Sequence, residues 1–253
     1  MKISVIILTK NNEKTIKRAL DSTLSFEEVI ILDSESTDDT YEIAKTYDHV
    51  QWHSHPFLGF GPMRQLAEKH AKNDWILSLD SDEAISPQLI NDLKNLKLIP
   101  NCIYSIPRHN FFRDKWIKWC GWYPDRQMRL YNKRKTGYSS SLVHEGILTD
   151  NMQIIALNSP VFHYSYEKIE DFLAKMQMYS SLFAKENTGK KRSSLLHAMG
   201  HGLYAFFKSY FLKKGFLGGE EGFIISLYNA HTAFYKYLKL SEANRRFGHE
   251  DLT

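Results

Sequence analysis

The chain has 253 residues, 43% of them hydrophobic, and carries a formal net charge of +4. This length and composition can bury one substantial core, which excludes intrinsic disorder. The charge is mild and mixed along the chain, so nucleic acid is not expected as a partner. The two cysteines, Cys102 and Cys120, form no CxxC pair, so we expect core thiols in a reducing compartment. No apolar run is long enough for a signal peptide or a membrane span. We therefore expect a cytoplasmic protein that is either free or peripheral on a membrane.

The first hundred residues alternate strand-like and helix-like patterns. Three apolar runs are typical of buried strands: ISVIIL (3–8), EEVIILD (27–33) and WILSL (75–79). Helical spacing follows the first two runs, and further helices are predicted from Pro62 and from Ser86, the latter ending by Pro100. Strands separated by helices predict a doubly wound parallel sheet, with a ligand crevice beyond the carboxyl ends of the strands.

The pattern changes twice after residue 100. Residues 101–165 are rich in aromatic, Arg and Gly residues, which is typical of strands and loops, and helical spacing returns after Tyr166. We therefore predict an α/β domain over 1–165, with halves at 1–100 and 101–165, and a helical C-terminal region over 166–253.

Acidic residues follow two of the predicted strands. Asp33 ends one strand, and Asp80, Asp82 and Glu83 follow another. The DSDE segment could be a polar loop whose acids lie near the N-terminus of the helix capped by Ser86. The alternative is a divalent-cation site, because two carboxylates separated by one residue offer oxygen ligands to Mg²⁺ or Mn²⁺. Asp33 favours the second interpretation, since an acid on a neighbouring strand end can accept hydrogen bonds from a nucleoside.

Taken together, these segments resemble the inverting GT-A glycosyltransferases of family 2. SVIILTKNNEKTIKRALDS resembles the opening strand and helix of that family, LDSESTDDT its nucleotide segment, and LDSDE its DxD motif. A narrower resemblance is to the bacterial lipopolysaccharide-core glucosyltransferases of the WaaE/KdtX type. It is carried by GFGPMRQLA, WILSLDSDE, GWYPDRQMRLY, VHEG, HYSY and GFLGGEEGF.

The resemblance implies a fold, an activity and partners. The fold is GT-A: a Rossmann-like, mostly parallel central sheet flanked by helices, here with a helical C-terminal extension. The activity is metal-dependent transfer of a hexose from a nucleotide sugar, with a UDP-sugar as the first candidate, to a lipopolysaccharide core or related bacterial surface glycan. The 1–100 half would bind the nucleotide sugar and the 101–165 half the acceptor.

The resemblance also implies roles for single residues. The nucleotide-sugar site would contain Thr9, Asn11, Asp33, Arg64 and Asp80. A Mn²⁺ or Mg²⁺ ion would be held by Asp82 and His163, although a lone histidine after an apolar strand is also often a satisfied core residue. Ser34 and Glu35 stand where the family has Asp-Gly, and the loss of glycine removes backbone freedom from this loop.

Transfer with inversion requires a carboxylate that takes the proton of the acceptor hydroxyl. Glu145 in VHEG matches the position of the family's base, and Asp125 in GWYPDRQ is the competing candidate. His144 beside Glu145 is interpreted as a local hydrogen-bond partner.

Arginines interleaved with aromatic residues suit an acceptor that is both glycan and anion. The candidate acceptor-binding residues are Arg126, Arg129, Trp122 and Tyr123. Each aromatic residue taken alone is better explained by core packing.

Residues 189–219 contain six Lys or Arg residues, many large apolar residues and no acid. This composition fits a helix packed on the sheet domain, or a peripheral face on the cytoplasmic side of the inner membrane. His197 and His201 have the i, i+4 spacing of a metal pair, but the glutamate of HExxH is missing, so a structural or interface role is expected.

Two other functions remain open from the sequence. A sugar-nucleotide nucleotidyltransferase shares this architecture, but ILTKNNEK lacks the glycine-rich signature of that class. A glycan-binding module would use the aromatic residues, but it leaves Asp33, Asp80 and Asp82 unexplained. A phosphatase of the haloacid dehalogenase type is disfavoured, because its DxD pair follows the first strand.

Overall fold

The computed structural model describes residues 1–141 and 145–250. The chain forms two compact units. The first consists of Met1–His109 and Asp125–Tyr164, and the second of Asn110–Pro124 and the chain from Ser165 onward. The chain passes into the second unit at Ser165, beside the predicted boundary. Residues 110–124, placed in the α/β domain by the sequence, group with the second unit instead.

Ten strands and seven helices are formed by the described residues. The strands are β1 (Ile3–Thr9), β2 (Glu28–Asp33), β3 (Val50–Ser54), β4 (Trp75–Asp80), β5 (Glu83–Ile85), β6 (Cys102–Phe112), β7 (Lys115–Trp116), β8 (Arg126–Asn132), β9 (Gln153–Ala156) and β10 (Val161–Tyr166). The helices are α1 (Ile16–Asp21), α2 (Thr40–Ala44), α3 (Phe60–His70), α4 (Pro87–Asn95), α5 (Ile169–Asn187), α6 (Leu195–Phe207) and α7 (Gly219–Glu250). A π-helical turn (Lys208–Leu212) and a 3-10 turn (Gly215–Gly218) connect α6 to α7.

The central sheet has the strand order β3-β2-β1-β4-β8-β6-β10-β5. β1 pairs in parallel with β2 and β4, and β3 pairs in parallel with β2. β8 is antiparallel to both of its neighbours, β4 and β6. The predicted fold class is confirmed, with the parallel strands forming the N-terminal part of the sheet.

Helices cover both faces of the parallel strands, which explains their unbroken apolar sequences. Val5, Ile7 and Ile31 pack in one buried cluster with residues of α1 and α4. Ile6 and Ile30, on the alternate face, pack in a second cluster with α3. The strands are therefore fixed from both sides, and their carboxyl ends are held at one edge.

The sequence signals predicted the boundaries of some helices and strands correctly and missed other elements. The Ser86 cap is confirmed, because its Oγ accepts a hydrogen bond from the backbone N–H of Leu89 at 3.1 Å. α4 ends at Asn95, before Pro100, and α3 begins at Phe60, two residues before the predicted start at Pro62. β3 and β5 were not predicted.

In the second unit, α5 and α6 both pack on α7. Its core includes Phe112, Ile117, Phe172 and Ile225. Cys102 and Cys120 are buried free thiols, as predicted. Within residues 1–141 and 145–250, no helix has the length and apolar character needed to cross a membrane.

Candidate active site

The carboxyl ends of β1, β2 and β4 bring the predicted nucleotide-binding residues to one edge of the sheet. In the sheet register, Thr9 lies beside Asp33 and Leu8 lies beside Asp80. Asp33 is buried, and its carboxylate accepts hydrogen bonds from the Ser36 backbone N–H at 2.9 Å and the Ser36 hydroxyl at 2.5 Å. Asp33 therefore organises the loop that follows β2.

Asn11 fastens the same loop from the β1 side. The Asn11 side-chain Oδ1 accepts a hydrogen bond from the Thr37 backbone N–H at 2.8 Å. The Asn11 backbone N–H donates a hydrogen bond to Ser36 Oγ at 2.8 Å. Glu35 has a φ of +60°, the left-handed conformation that glycine adopts most readily. The loop thus keeps a glycine-type conformation although no glycine is present.

Asp80, at the end of β4, is held by two buried arginines. Arg64 Nη2 donates to Asp80 Oδ1 at 2.6 Å, and Arg129 Nη2 donates to Asp80 Oδ2 at 2.9 Å. Arg64 also donates to Ser78. Burial alone would raise the pKa of Asp80, but the Arg129 and Arg64 guanidinium groups outweigh it and hold that pKa well below its usual range. Each oxygen of the Asp80 carboxylate therefore accepts a hydrogen bond from a different arginine.

Glu83 extends this charged network. It starts β5 and is buried, and its Oε1 accepts a hydrogen bond from Arg129 Nη2 at 2.5 Å, while Arg108 Nη1 lies 3.6 Å away. Burial raises the pKa of Glu83, and the Arg129 charge counters that only in part. Within the DSDE segment, Glu83 is therefore a buried structural acid and is not part of a polar loop.

The two candidate bases lie at opposite ends of the network. Glu145 Oε1 is 3.5 Å from Arg64 Nε, which has no hydrogen-bond partner among the described residues. Asp125 accepts hydrogen bonds from Arg108 Nε at 2.7 Å and from Gln127 Nε2 at 2.8 Å. The acids and arginines alternate in the order Glu145, Arg64, Asp80, Arg129, Glu83, Arg108, Asp125. His144, predicted to assist Glu145, lies outside the described residues.

Asp82 lies outside this network and faces His163. Its Oδ2 is 3.2 Å from His163 Nε2, and no arginine contacts its carboxylate within the described part of the chain. Two ligands at right angles on an octahedral ion with bonds of about 2.1 Å are about 3.0 Å apart, so the pair fits a small divalent cation. The described residues contain no group of three or more His, Cys, Asp or Glu side chains suited to a metal. A cation held here would need further oxygen ligands from a substrate.

The four predicted acceptor-binding residues differ in their burial and in the unit to which they belong. Arg129 is buried against Asp80 and Glu83, and Arg126 donates to the backbone carbonyls of Ser105 and Leu157. Trp122 and Tyr123 belong to the second unit, where the Trp122 ring packs near Tyr166 and Phe172. Trp122 thus packs against the core of the second unit, Arg129 is paired with Asp80 and Glu83, and Tyr123 is 41% exposed.

The sequence did not predict that Arg108 and Glu83 join this network of ion pairs. Both are paired with residues more than a dozen positions away, and such pairings leave no local pattern. The apolar Ala84 and Ile85 after Glu83 were the only signal that this acid begins a buried strand. The His197 and His201 pair behaves as expected for structural residues, since the His201 ring stacks on Tyr237 with 3.7 Å between centroids.

The parallel strands, with acids at their carboxyl ends, have the arrangement of a GT-A fold. A sequence profile described as "Glycosyl transferase family 2" matches residues 4–147. The chain belongs to glycosyl transferase family 2.

Comparisons with known proteins agree with this assignment. The chain is 32% identical to an uncharacterized glycosyltransferase of Rickettsia typhi, over 95% of this chain and 87% of the relative. It is 25% identical to the lipopolysaccharide core biosynthesis glycosyltransferase LpsC of Rhizobium meliloti, over 94% of this chain and 91% of LpsC. Among solved structures, it is similar to the mannosyltransferase PcManGT of Pyrobaculum calidifontis in complex with GDP-Man and Mn²⁺. The TM-score is 0.50 at 15% identity, with 99% of this chain and 79% of that chain covered.

Proposed function

We propose that this enzyme transfers a hexose from a nucleotide sugar to a lipopolysaccharide core or related bacterial surface glycan, with inversion at the anomeric carbon. A UDP-sugar is the first candidate donor. The proposal rests on a difference between the two acids of the DxD motif. Asp80 is ion-paired with two arginines, whereas Asp82 contacts no arginine among the described residues and faces His163. This division suits a site where one acid is structural and the other meets a cation that accompanies a diphosphate.

Glu145 is our choice for the base. Its carboxylate takes the proton of the acceptor hydroxyl, the hydroxyl oxygen bonds to the anomeric carbon, and the bond from that carbon to the diphosphate oxygen breaks. The nucleoside diphosphate leaves with the bonding electron pair. Glu145 forms an ion pair with Arg64 at 3.5 Å without a hydrogen bond, whereas both oxygens of Asp125 already accept hydrogen bonds from side chains of this unit. We therefore assign Asp125 a positioning role.

Asp82 and His163 are the residues that would hold Mn²⁺ or Mg²⁺. When bound, such an ion supplies positive charge that neutralises the leaving diphosphate. The chain itself supplies the remaining organisation. The loop built by Asp33 and Asn11 forms the nucleoside side of the site with Thr9, and Arg64 and Arg129 keep Asp80 charged and fixed beside it.

The acceptor class is supported by the similarity to LpsC, whose name places it in lipopolysaccharide core biosynthesis. The exposed Tyr123 ring is suited to stacking on a sugar. A glycolipid acceptor also favours a peripheral position on the cytoplasmic face of the inner membrane.

Titration calorimetry with UDP and GDP, each with and without Mn²⁺, tests the donor site. We expect one nucleotide to bind, with an affinity that rises on addition of Mn²⁺ in the wild type and in Asp150→Asn, an exposed acid far along the chain from the DxD motif. Asp82→Ala should bind equally with and without the ion. A protein that ignores both nucleotides would be a glycan-binding module, and this proposal would fail.

A further inference from the structure

Helix α6 and the turn after it bury several of their small residues and expose many of their large apolar residues. Ala198 and Gly202 are buried, and Ser209 continues the buried side into the π-helical turn. Leu196 and Leu203, on the opposite side, are 79% and 71% exposed. An amphipathic helix of a water-soluble domain has the reverse arrangement, with its large apolar residues against the core.

The burial of the small residues is explained by close packing against α7. A Cβ atom on Gly202 would lie 3.2 Å from Phe234 Cβ and 3.3 Å from the carbonyl oxygen of Ala230. α6 therefore approaches α7 so closely that only small residues fit between them. The side chains with the most apolar surface necessarily point the other way.

We name this exposed set the α6 surface; its six members are Leu196, Met199, Leu203, Phe207, Phe211 and Leu212. The first four recur at helical spacings of three or four residues, so they form one stripe. Phe211 and Leu212 extend it into the π-helical turn, and each member is at least 47% exposed. An exposed apolar patch of this extent marks an interaction site.

The segment that carries the α6 surface contains basic residues and no acid. Residues 188–219 contain no Asp or Glu. The six basic residues are Lys190, Lys191, Arg192, Lys208, Lys213 and Lys214. All six are exposed, and none forms an ion pair with another described residue.

We infer that the α6 surface docks on an anionic lipid membrane. Leucine and phenylalanine side chains enter the interfacial region of the bilayer, and the basic residues meet the anionic headgroups. A second copy of the chain is a poorer occupant. A two-fold dimer would place the same surface on both partners and bring the two sets of lysines together. The inference rests on the second unit alone and does not depend on the proposed reaction.

Co-flotation of the full chain with vesicles tests this inference. The probes are phosphatidylglycerol-containing vesicles and pure phosphatidylcholine vesicles, at low and high salt. One variant combines Lys208→Glu, Lys213→Glu and Lys214→Glu, and a second combines Leu203→Ser and Phe207→Ser. The matched controls are Lys94→Glu, Lys97→Glu and Lys135→Glu together, and Leu24→Ser with Ile154→Ser, which change exposed residues of the first unit.

We expect the wild type and both controls to float with the anionic vesicles and to bind phosphatidylcholine weakly. Each basic residue near an anionic surface contributes about a fivefold factor in binding, so the lysine variant should lose more than about 100-fold. The serine variant should lose binding at both salt concentrations. Circular dichroism and thermal unfolding verify that each variant is folded.

Three results would overturn the inference. One is a wild type that does not float with anionic vesicles. Another is an equal loss in the lysine control, which would indicate attraction to total charge and not to this surface. The third is a wild-type dimer that the serine variant converts to a monomer without any vesicle binding, which would identify the α6 surface as a contact between copies.

Discussion

Glu145 and Asp125 end the same run of alternating charges, but they differ in how many partners they have. The Glu145 carboxylate has the Arg64 Nε group at 3.5 Å, while each Asp125 oxygen accepts a short side-chain hydrogen bond. A base must exchange a proton with the acceptor, and a carboxylate whose two oxygens are each held by a side-chain hydrogen bond is less free to do so. The residue-scale geometry therefore favours Glu145.

Glu145→Gln keeps the size of the side chain but cannot take up a proton. We expect turnover to fall by a factor of about 10² to 10⁴, with donor affinity nearly unchanged. Asp125→Asn should retain most turnover and raise the KM for the acceptor, as expected for a positioning residue. Steady-state kinetics and donor titrations on both variants measure these effects. Loss of turnover in Asp125→Asn, with full activity in Glu145→Gln, would exchange the two roles.

Glu35 is an exposed residue in a left-handed conformation, with φ +60°. A side chain in this region costs roughly 1 kcal/mol or more, and glycine removes that cost while losing some backbone entropy on folding. We expect Glu35→Gly to raise the free energy of unfolding by about 0.5 to 1 kcal/mol, as measured by urea denaturation. Glu35→Ala is the control and should show no gain, because alanine also carries a Cβ. A marked destabilisation by Glu35→Gly would mean that the Glu35 side chain holds the loop.

At the scale of elements, α6 provides a matched pair of glycines. An added Cβ meets nothing within 4 Å at Gly200, whereas at Gly202 it meets Phe234 and Ala230 of α7. Gly200→Ala should therefore raise the free energy of unfolding by up to about 1 kcal/mol, the helix propensity difference between the two residues. Gly202→Ala should lower it, because α6 must move away from α7. Equal stabilisation by both changes in thermal unfolding would contradict the close packing of these helices.

The elements show which parts of the structure could be predicted. β1, β2 and β4 are apolar runs buried on both faces, and α4 starts at a Ser-Pro cap, so their signals are local. β3 escaped because its residues are only partly buried and include polar side chains. β5 has three residues, opens with a charged one and is fixed by antiparallel pairing with the distant β10. Register with another strand cannot be deduced from so short a segment.

For the site, the positions of the acids could be predicted from the sequence, but their pairing with arginines could not. The carboxyl ends of predicted strands correctly placed Asp33 and Asp80 at one edge. The choice of which arginine neutralises which acid depends on side chains that meet only in the folded chain. Arg129, a candidate acceptor-binding residue, is an example: its pairing with Asp80 and Glu83 was not predicted.

At the scale of the whole molecule, the proposed functions are divided between the two units. The candidate nucleotide, metal and base residues belong to the first unit, and the α6 surface belongs to the second. We expect Leu203→Ser with Phe207→Ser to leave transfer to a water-soluble acceptor fragment unchanged. The same variant should be slower on acceptor embedded in anionic vesicles. If the variant is as fast on the vesicle-embedded acceptor as on the water-soluble fragment, the α6 surface does not contribute to catalysis at the membrane.

The central claim is transfer of a sugar from a nucleotide donor to a bacterial surface glycan. The most direct measurement is mass spectrometry of a lipopolysaccharide-core acceptor incubated with the enzyme, Mn²⁺ or Mg²⁺, and a panel of UDP- and GDP-sugars. We expect one donor to increase the acceptor mass by a single hexose, with release of one equivalent of nucleoside diphosphate. We expect Glu145→Gln to form both products far more slowly than the wild type. An unchanged acceptor mass with every donor, or equal mass increases with the wild type and Glu145→Gln, would contradict it.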